Sequence, residues 1–562
     1  MRTLRFALLL VFLLAASVIL LRTFEHQHTD DTHRERLARV VGEKPATIDV
    51  ARMRGASAAD LYQLGVEYLQ MWRVREAATI LEHAVAADST RHDTWLKLIE
   101  CYANPLLGNE RALAHATARA EATIAAPGDT TYVFALRALY HEEDYARSIA
   151  LLSQALRAKP PGDMAAEMRY HLALAYYRLG EVQAAGKELE QLLKVDPTVP
   201  RVVELSIKCD GAAGRWDRAA RGAGELVRLY PEEPMPQVLA SQVELARDRP
   251  VPALEYADHA LELDPFCVPA IMTRSCLYAH AGDFESARVS YEKLMLFDDT
   301  MIASTGHEGI AFADFLAGDF DDGVDAMDEA IRHAMMAGAK RRGLALSSRL
   351  VEYLCQLGRA DAAEGVVERW VTEFGDVPVR LARARIQLLR GDLDAGNDVL
   401  THLSSEKEWV LWSRALSIDA VELLALADLA EDKPHDAMAR LLRYEKERAL
   451  ADVGAAGRRT FLAGYAAFQA GDAETAMSAF ARVRQRLFGL EFPSHGDPVL
   501  YVQSLFYRAE AQLASGKNTA AKESYAAFLS YWDEAAWGLD AVTRAGQKVE
   551  ALSGAAAPPR AN

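Results

Sequence analysis

Between Ala166 and Thr300 the sequence returns to one pattern every 34 residues. Pro197, Pro231 and Pro265 stand one period apart, and Asp299 takes the fourth place. In the same phase upstream lie Gly180, Gly214, Asp248 and Gly282. Five residues after each of these comes Ala185, Ala219, Ala253 or Ala287. A period of this length with this punctuation specifies stacked helical hairpins.

Met168 to Pro197 shows why. Leu172, Ala173, Tyr176 and Leu179 recur at helical spacing before Gly180-Glu181 interrupts the helix. A second periodic run through Ala185, Leu189, Leu192 and Leu193 ends at Asp196-Pro197. Two amphipathic helices joined by so short a turn lie antiparallel. Ala173 and Ala185 let the two backbones approach, Leu189 and Leu192 cover the gap to the next hairpin, and the proline stops the second helix.

The pattern resembles the tetratricopeptide repeat family. Tyr170-His171-Leu172-Ala173, Tyr176, Gly180, Ala185 and Pro197 fall on its signature positions, as do Leu64-Gly65, Tyr68, Ala77, Leu81 and Ala84 in a first unit. Remnants continue from about residue 58 to 535. Ile207 and Asp210 depart from the pattern and make the fifth unit looser. The resemblance implies an all-α, right-handed superhelical solenoid of about thirteen hairpins over 58–535, closed by a capping helix at 536–553 and a disordered tail at 554–562. Tyr501 to Leu552, with Tyr525, Phe528-Leu529 and Trp532, also resembles the end of repeat sensor regions of bacterial membrane-tethered serine/threonine kinases and related regulators. The kinase motifs themselves are absent from the sequence.

Repeats override the several compact domains that 562 residues would otherwise suggest, because each unit touches only its neighbours. Hydrophobic residues make up 51%, enough for a continuous core. The net charge is −17, and the first 24 residues carry three arginines and no acid, so the remainder is more acidic still. Such a surface repels phosphate backbones and argues against nucleic-acid binding. Cys101, Cys209, Cys267, Cys276 and Cys355 are scattered through helical patterns and read as small buried apolar residues.

Phe6 to Leu21 runs without a charge between Arg5 and Arg22. This stretch, residues 1–24, is expected to be an uncleaved signal anchor, with a cleaved secretion signal as the alternative. With Arg2 and Arg5 inside, the repeats would lie outside the cytoplasm, as for a single-pass protein of a bacterial inner membrane. Residues 25–57 read as a juxtamembrane linker. Its His26, His28, Asp30, Asp31 and His33 lack the fixed geometry of a metal site.

No nucleotide loop, serine elbow, HExxH or CxxC appears in a supporting context. Asp319, Asp321, Asp322, Asp325 and Asp328 fail EF-hand spacing and read as an acidic hairpin turn. No catalytic residue, cofactor, metal or small-molecule substrate is therefore expected. His171, His280 and His307 read as groove-lining or surface residues of first helices. One subclass of the family grips carboxyl termini with lysines and asparagines; here Glu204 has the wrong sign and asparagine is missing, so that activity is not expected.

Stacked hairpins put their first helices on the inner face. By phase, a groove would be lined by Tyr170, Leu174, Tyr177, Arg178, Glu204, Lys208, Val238, Gln242, Met272, His280, Glu308 and Phe312. Aromatic, Met and Arg side chains anchor protein interfaces. The expectation is a noncatalytic, membrane-anchored scaffold for a protein or peptide partner. The alternatives are the input domain of a signalling pathway and, more remotely, an enzyme with an unrecognised site.

Overall fold

The structure, a computed structural model, describes residues 55–124, 127–394, 399, 401, 420–447, 453–487 and 496–554. The expected anchor, nearly all of the linker and the tail lie outside the described residues. Contacts divide the chain after Ser57, and the unit from Ala58 onward carries every helix named below. Among the described residues there is no strand, and no helix is long and apolar enough to cross a membrane.

Helices follow one another in antiparallel pairs. The first three hairpins are α1 (Ala58–Gln70) with α2 (Val74–Ala87), α3 (His92–Tyr102) with α4 (Glu110–Ala122), and α5 (Pro127–Leu136) with α6 (Tyr145–Arg157). A π-helical turn, Arg137–His141, extends α5. The phased block is α7 (Gly162–Leu179) with α8 (Val182–Val195), α9 (Pro200–Ala212) with α10 (Trp216–Leu229), α11 (Pro234–Ala246) with α12 (Pro250–Leu263), and α13 (Val268–His280) with α14 (Phe284–Glu292). Then come α15 (Thr300–Ala317) with α16 (Phe320–Met336), α17 (Lys340–Gln356) with α18 (Ala360–Arg369), and α19 (Asp376–Leu389). The chain continues with α20 (Ala420–Ala430) and α21 (Pro434–Glu447), α22 (Val453–Gln469) and α23 (Ala473–Leu487), and α24 (Pro498–Ala514) and α25 (Asn518–Trp532). The last helix is α26 (Asp540–Gly554).

The turn inside each hairpin has one chemistry. Gly180 takes φ +88°, and the N–H of Glu181 reaches back to the Tyr176 carbonyl at 2.8 Å. The same reach over five residues recurs from Arg215 to Asp210, Arg249 to Glu244, Asp283 to Tyr278, Asp319 to Asp314, Arg359 to Leu354, Asp472 to Ala467 and Lys517 to Gln512. This bond satisfies a carbonyl the helix end would leave open, and the left-handed residue turns the chain into the second helix. Trp72, Glu143, Asp248 and Asp432 fill that place with positive φ although they carry a Cβ.

The phased alanines work as their size demands. Ala173, Ala185, Ala219, Ala253 and Ala287 are all fully buried where helices meet. Four of the cysteines are buried and Cys355 is partly so; all five are free. Burial pushes the Cys267, Cys276 and Cys355 thiols up to about 12.

Helices remote in sequence also meet. α24 and α25 pack on α15, and α24 also packs on α17. Trp532 Nε1 donates to the Phe315 carbonyl at 3.1 Å, the Ala536 N–H donates to the Gly318 carbonyl at 3.1 Å, and Trp537 Nε1 donates to Asp321 at 3.0 Å. Phe320 lies between the rings of Trp532 and Trp537, at 5.3 and 5.0 Å. In the amino-terminal half Trp72 Nε1 donates to Glu204 at 2.6 Å, and Arg75 pairs with Asp299 at 2.8 Å. Arg341 ties α17 to Glu110, Glu143 and the His141 carbonyl. The solenoid therefore closes on itself.

Close approach makes one helical glycine different from another. A Cβ on Gly309 would stand 2.2 Å from the ring of fully buried Tyr291, whereas one on Gly186 meets nothing within 4 Å. Gly309→Ala is expected to lower stability by about 1–3 kcal/mol through overpacking. Gly186→Ala should raise it by about 0.5–1 kcal/mol. Urea or thermal unfolding midpoints of the two variants, measured side by side, check the difference; equal shifts would contradict the packing given for Tyr291.

Candidate functional site

The phased first helices α7, α9 and α11 turn one row of side chains inward. Tyr170, Leu174 and Arg178 from α7, Arg201, Glu204 and Lys208 from α9, and Met235 and Gln242 from α11 line a single cavity of about 250 Å³. Trp72 and Leu106, from the first two hairpins, also border it, as do Tyr140 and Pro269. Six of the sequence-expected residues, Tyr170, Leu174, Arg178, Glu204, Lys208 and Gln242, thus come together here.

The remaining expectations are corrected. Tyr177 is buried in the hairpin core against Val182, Ala185 and Leu189. Val238, Met272 and Phe312 belong to the main apolar core. Val238 and Met272 share the phase of Tyr170 and Glu204 but are buried in that core. His280 lies between the rings of Phe312 and Tyr501, 5.5 Å from each, and its carbonyl accepts from Tyr531. Glu308 is 2% exposed and pairs with Arg342 at 2.6 Å and with Arg349. Tyr501 and Tyr531 come from α24 and α25, so the returning carboxyl-terminal helices fill the groove that phase alone would leave open.

A charged cluster supports the cavity wall. Lys97 Nζ donates to Glu100 at 2.6 Å and to Glu167 at 2.8 Å. Arg201 pairs with the same two carboxylates and lies over the Tyr170 ring, 4.4 Å from its centroid. Against the cost of burial, Lys97 and then Arg201 hold Glu167 well below the usual carboxylate range. His171 is a buried hub and not a groove or surface residue. Its Nδ1 lies 3.0 Å from the Tyr132 hydroxyl, and the rings of Tyr132, Tyr140 and Tyr170 meet it edge-on. Burial lowers its pKa, so the ring stays neutral, and burial keeps the three phenols protonated.

Donor atoms of Glu100, Glu167 and His171 lie within 4.8 Å of one another, as a metal site requires. Lys97 and Arg201 already bind these carboxylates, and a metal cation would have to displace both. The arrangement instead fixes Arg201 and Tyr170, and with them one wall of the cavity.

The sequence reading missed Trp72, Lys97, Glu100, Tyr140, Glu167 and Arg201. For two of them a signal exists. Glu167 and Arg201 stand one 34-residue period apart, and the next places in that register, Met235 and Pro269, also line the cavity. Trp72 has no such signal, because its partner Glu204 is 132 residues away.

Arg201→Met leaves Glu100 and the half-buried Glu167 with one cation between them, and should cost about 1–3 kcal/mol, less than a fully buried pair because Glu167 keeps some contact with water. The pH dependence carries the sign. A depressed folded pKa at Glu167 contributes stability above the unfolded value of about 4.3, which is lost as pH falls below it. The variant should therefore show a smaller loss of stability under acid than the parent. Denaturation midpoints from pH 3 to 7 decide this; parallel curves would remove Arg201 from the cluster.

Residues 139–206 match the family profile described as tetratricopeptide repeat. No curated protein matches the chain. Solved structures similar to it include a thermophilic tetratricopeptide-repeat protein of Thermus thermophilus, 21% identical, covering 32% of this chain and 98% of its own, with a TM-score of 0.28. A repeat protein of Parabacteroides merdae is 15% identical over 52% of this chain and 98% of its own, with a TM-score of 0.29. The Cut9–Hcn1 hetero-tetramer of the APC/C supplies a chain 14% identical over 89% of this one and 98% of its own, with a TM-score of 0.27. At these identities and scores the likenesses carry no argument about function.

Proposed function

We propose that this chain is a noncatalytic scaffold whose amino-terminal half grips an extended segment of a protein partner. The observation that carries the reading is convergence. Side chains from three consecutive first helices and from the Trp72 turn meet around one cavity, while the returning helices α24 and α25 cover the corresponding face of the seventh and eighth hairpins. The cavity is somewhat smaller than the roughly 300–1,000 Å³ of a small-molecule site, room for the anchoring side chains of a peptide whose remainder lies outside. Tyr170, Leu174 and Met235 offer apolar contact, and Gln242, Lys208 and Arg178 offer polar groups to fix register. Tetratricopeptide repeats as a class support binding of proteins or peptides.

The charge-free run Phe6 to Leu21, flanked by arginines, supports attachment of the scaffold to a membrane with its repeats on the extracytoplasmic side. Reporter fusions after residues 57 and 553 decide that placement, and activity of a cytoplasmic reporter would reverse it.

A photo-crosslinking amino acid tests the cavity in cells. Placed at Leu174 or Gln242 it should trap one protein in stoichiometric amount. At Val195, 87% exposed on a second helix, it should trap none. Leu174→Glu should reduce recovery of that partner more than about tenfold, the loss expected of an anchor residue. Equal crosslinking from all three positions would defeat the reading.

A further inference from the structure

The two helices of the eighth hairpin, α15 and α16, bring together two imidazoles and a carboxylate that the binding cavity does not use. His307 stands on α15; Glu329 and His333 stand four residues apart on α16 and share a face. One donor atom from each lies within 4.8 Å of the other two. The imidazoles stack at 18° with centroids 5.2 Å apart, and His333 Nε2 is 4.0 Å from a Glu329 oxygen. All three residues are half-buried, held by two packed helices and open to an ion from solvent.

We propose that His307, Glu329 and His333 form a binding site for a divalent transition-metal ion of the zinc class, which clips the two helices of this hairpin together. Two imidazole nitrogens with one carboxylate oxygen suit zinc, cobalt or nickel rather than magnesium or calcium, which take oxygen ligands. His333 Nδ1 is buried without a hydrogen-bond partner, so that ring is not committed elsewhere.

Charge separates this trio from Glu100, Glu167 and His171. There two basic side chains occupy the carboxylates. Here Arg332 pairs with Glu329 Oε1 and leaves Oε2 on the side of His333. Donors around one zinc stand about 3.3 Å apart. The donor atoms of the trio, all within 4.8 Å of one another, must therefore close by at most about 1.5 Å.

The test titrates the full chain with Zn²⁺ by calorimetry and with Co²⁺ by visible absorption. One ion per chain is expected, with a rise in thermal midpoint and the d–d bands of a nitrogen- and oxygen-bound cobalt. His307→Gln, His333→Gln and Glu329→Gln should each weaken the site by more than about tenfold. A variant with His26, His28 and His33 all changed to Ala should keep it. Absence of stoichiometric binding by the unaltered chain would overturn the proposal, and this readout does not depend on any variant folding. So would binding that survives in the His307→Gln/His333→Gln double variant, or that disappears with the linker histidines.

Discussion

A backbone N–H that reaches back five residues past a left-handed turn ends first helix after first helix in this chain. The bond from Glu181 to the Tyr176 carbonyl, and its copies through Lys517 to Gln512, fix each helix pair as antiparallel. Once the pair is fixed, the small residues follow from geometry. Ala173 and Ala185 sit where two backbones meet, and a larger side chain there would push the helices apart. The positions left over on the first helix are then free to differ from unit to unit. The cavity is made from those positions, so its existence rests on turns that never touch it.

Phase made the hairpins legible and could not by itself show which of them keep an open inner face. Tyr170, Glu204, Val238 and Met272 occupy one register, yet the first two line the cavity and the last two lie in the core. Further along the inner face the chain itself intervenes: Tyr501 and Tyr531 stand over His280 from more than 200 residues away. A period-34 pattern encodes contacts within a unit and between adjacent units. It is silent about where the solenoid meets itself, and that meeting decides the fate of His280 and of Phe312 beside it. Trp72 was invisible for the same reason, since only the fold brings it to Glu204.

Closing a solenoid places charged inner positions out of water, and this chain pairs them. Arg385 bridges Glu352, at 2.9 Å, and Glu422, while Arg458 approaches both at 3.4 and 3.3 Å. Gln356 donates to Asp497 at the start of α24. Burial raises Glu352, whereas Arg385, Arg458 and Arg459 hold Glu422 low against the same burial. Buried ion networks add little net stability compared with apolar packing, but breaking one partner is costly. Their effect is to make one register of approach much better than its neighbours. An apolar seam of leucines would tolerate sliding where these directional pairs do not.

The same reasoning bears on what the cavity accepts. Glu204 already receives Trp72 Nε1 at 2.6 Å and Lys208 Nζ at 2.8 Å, so its carboxylate is satisfied before any partner arrives. An occupant that displaces the indole without offering a donor of its own leaves a partly buried carboxylate one bond short, at a cost of about 1–3 kcal/mol. An extended peptide carries a backbone N–H at nearly every residue and can replace the indole bond, whereas an apolar ligand of similar bulk cannot. If the cavity binds as proposed, the chemistry of Glu204 therefore favours polypeptide over lipid-like occupants. Because Trp72 belongs to the turn of the first hairpin, any exchange at Glu204 also loosens that hairpin from the fifth. On the proposed function, occupancy of the cavity would bear on the seat of the amino-terminal hairpin through this hydrogen bond, beside the Trp72–Tyr230 ring contact and the Arg75–Asp299 pair.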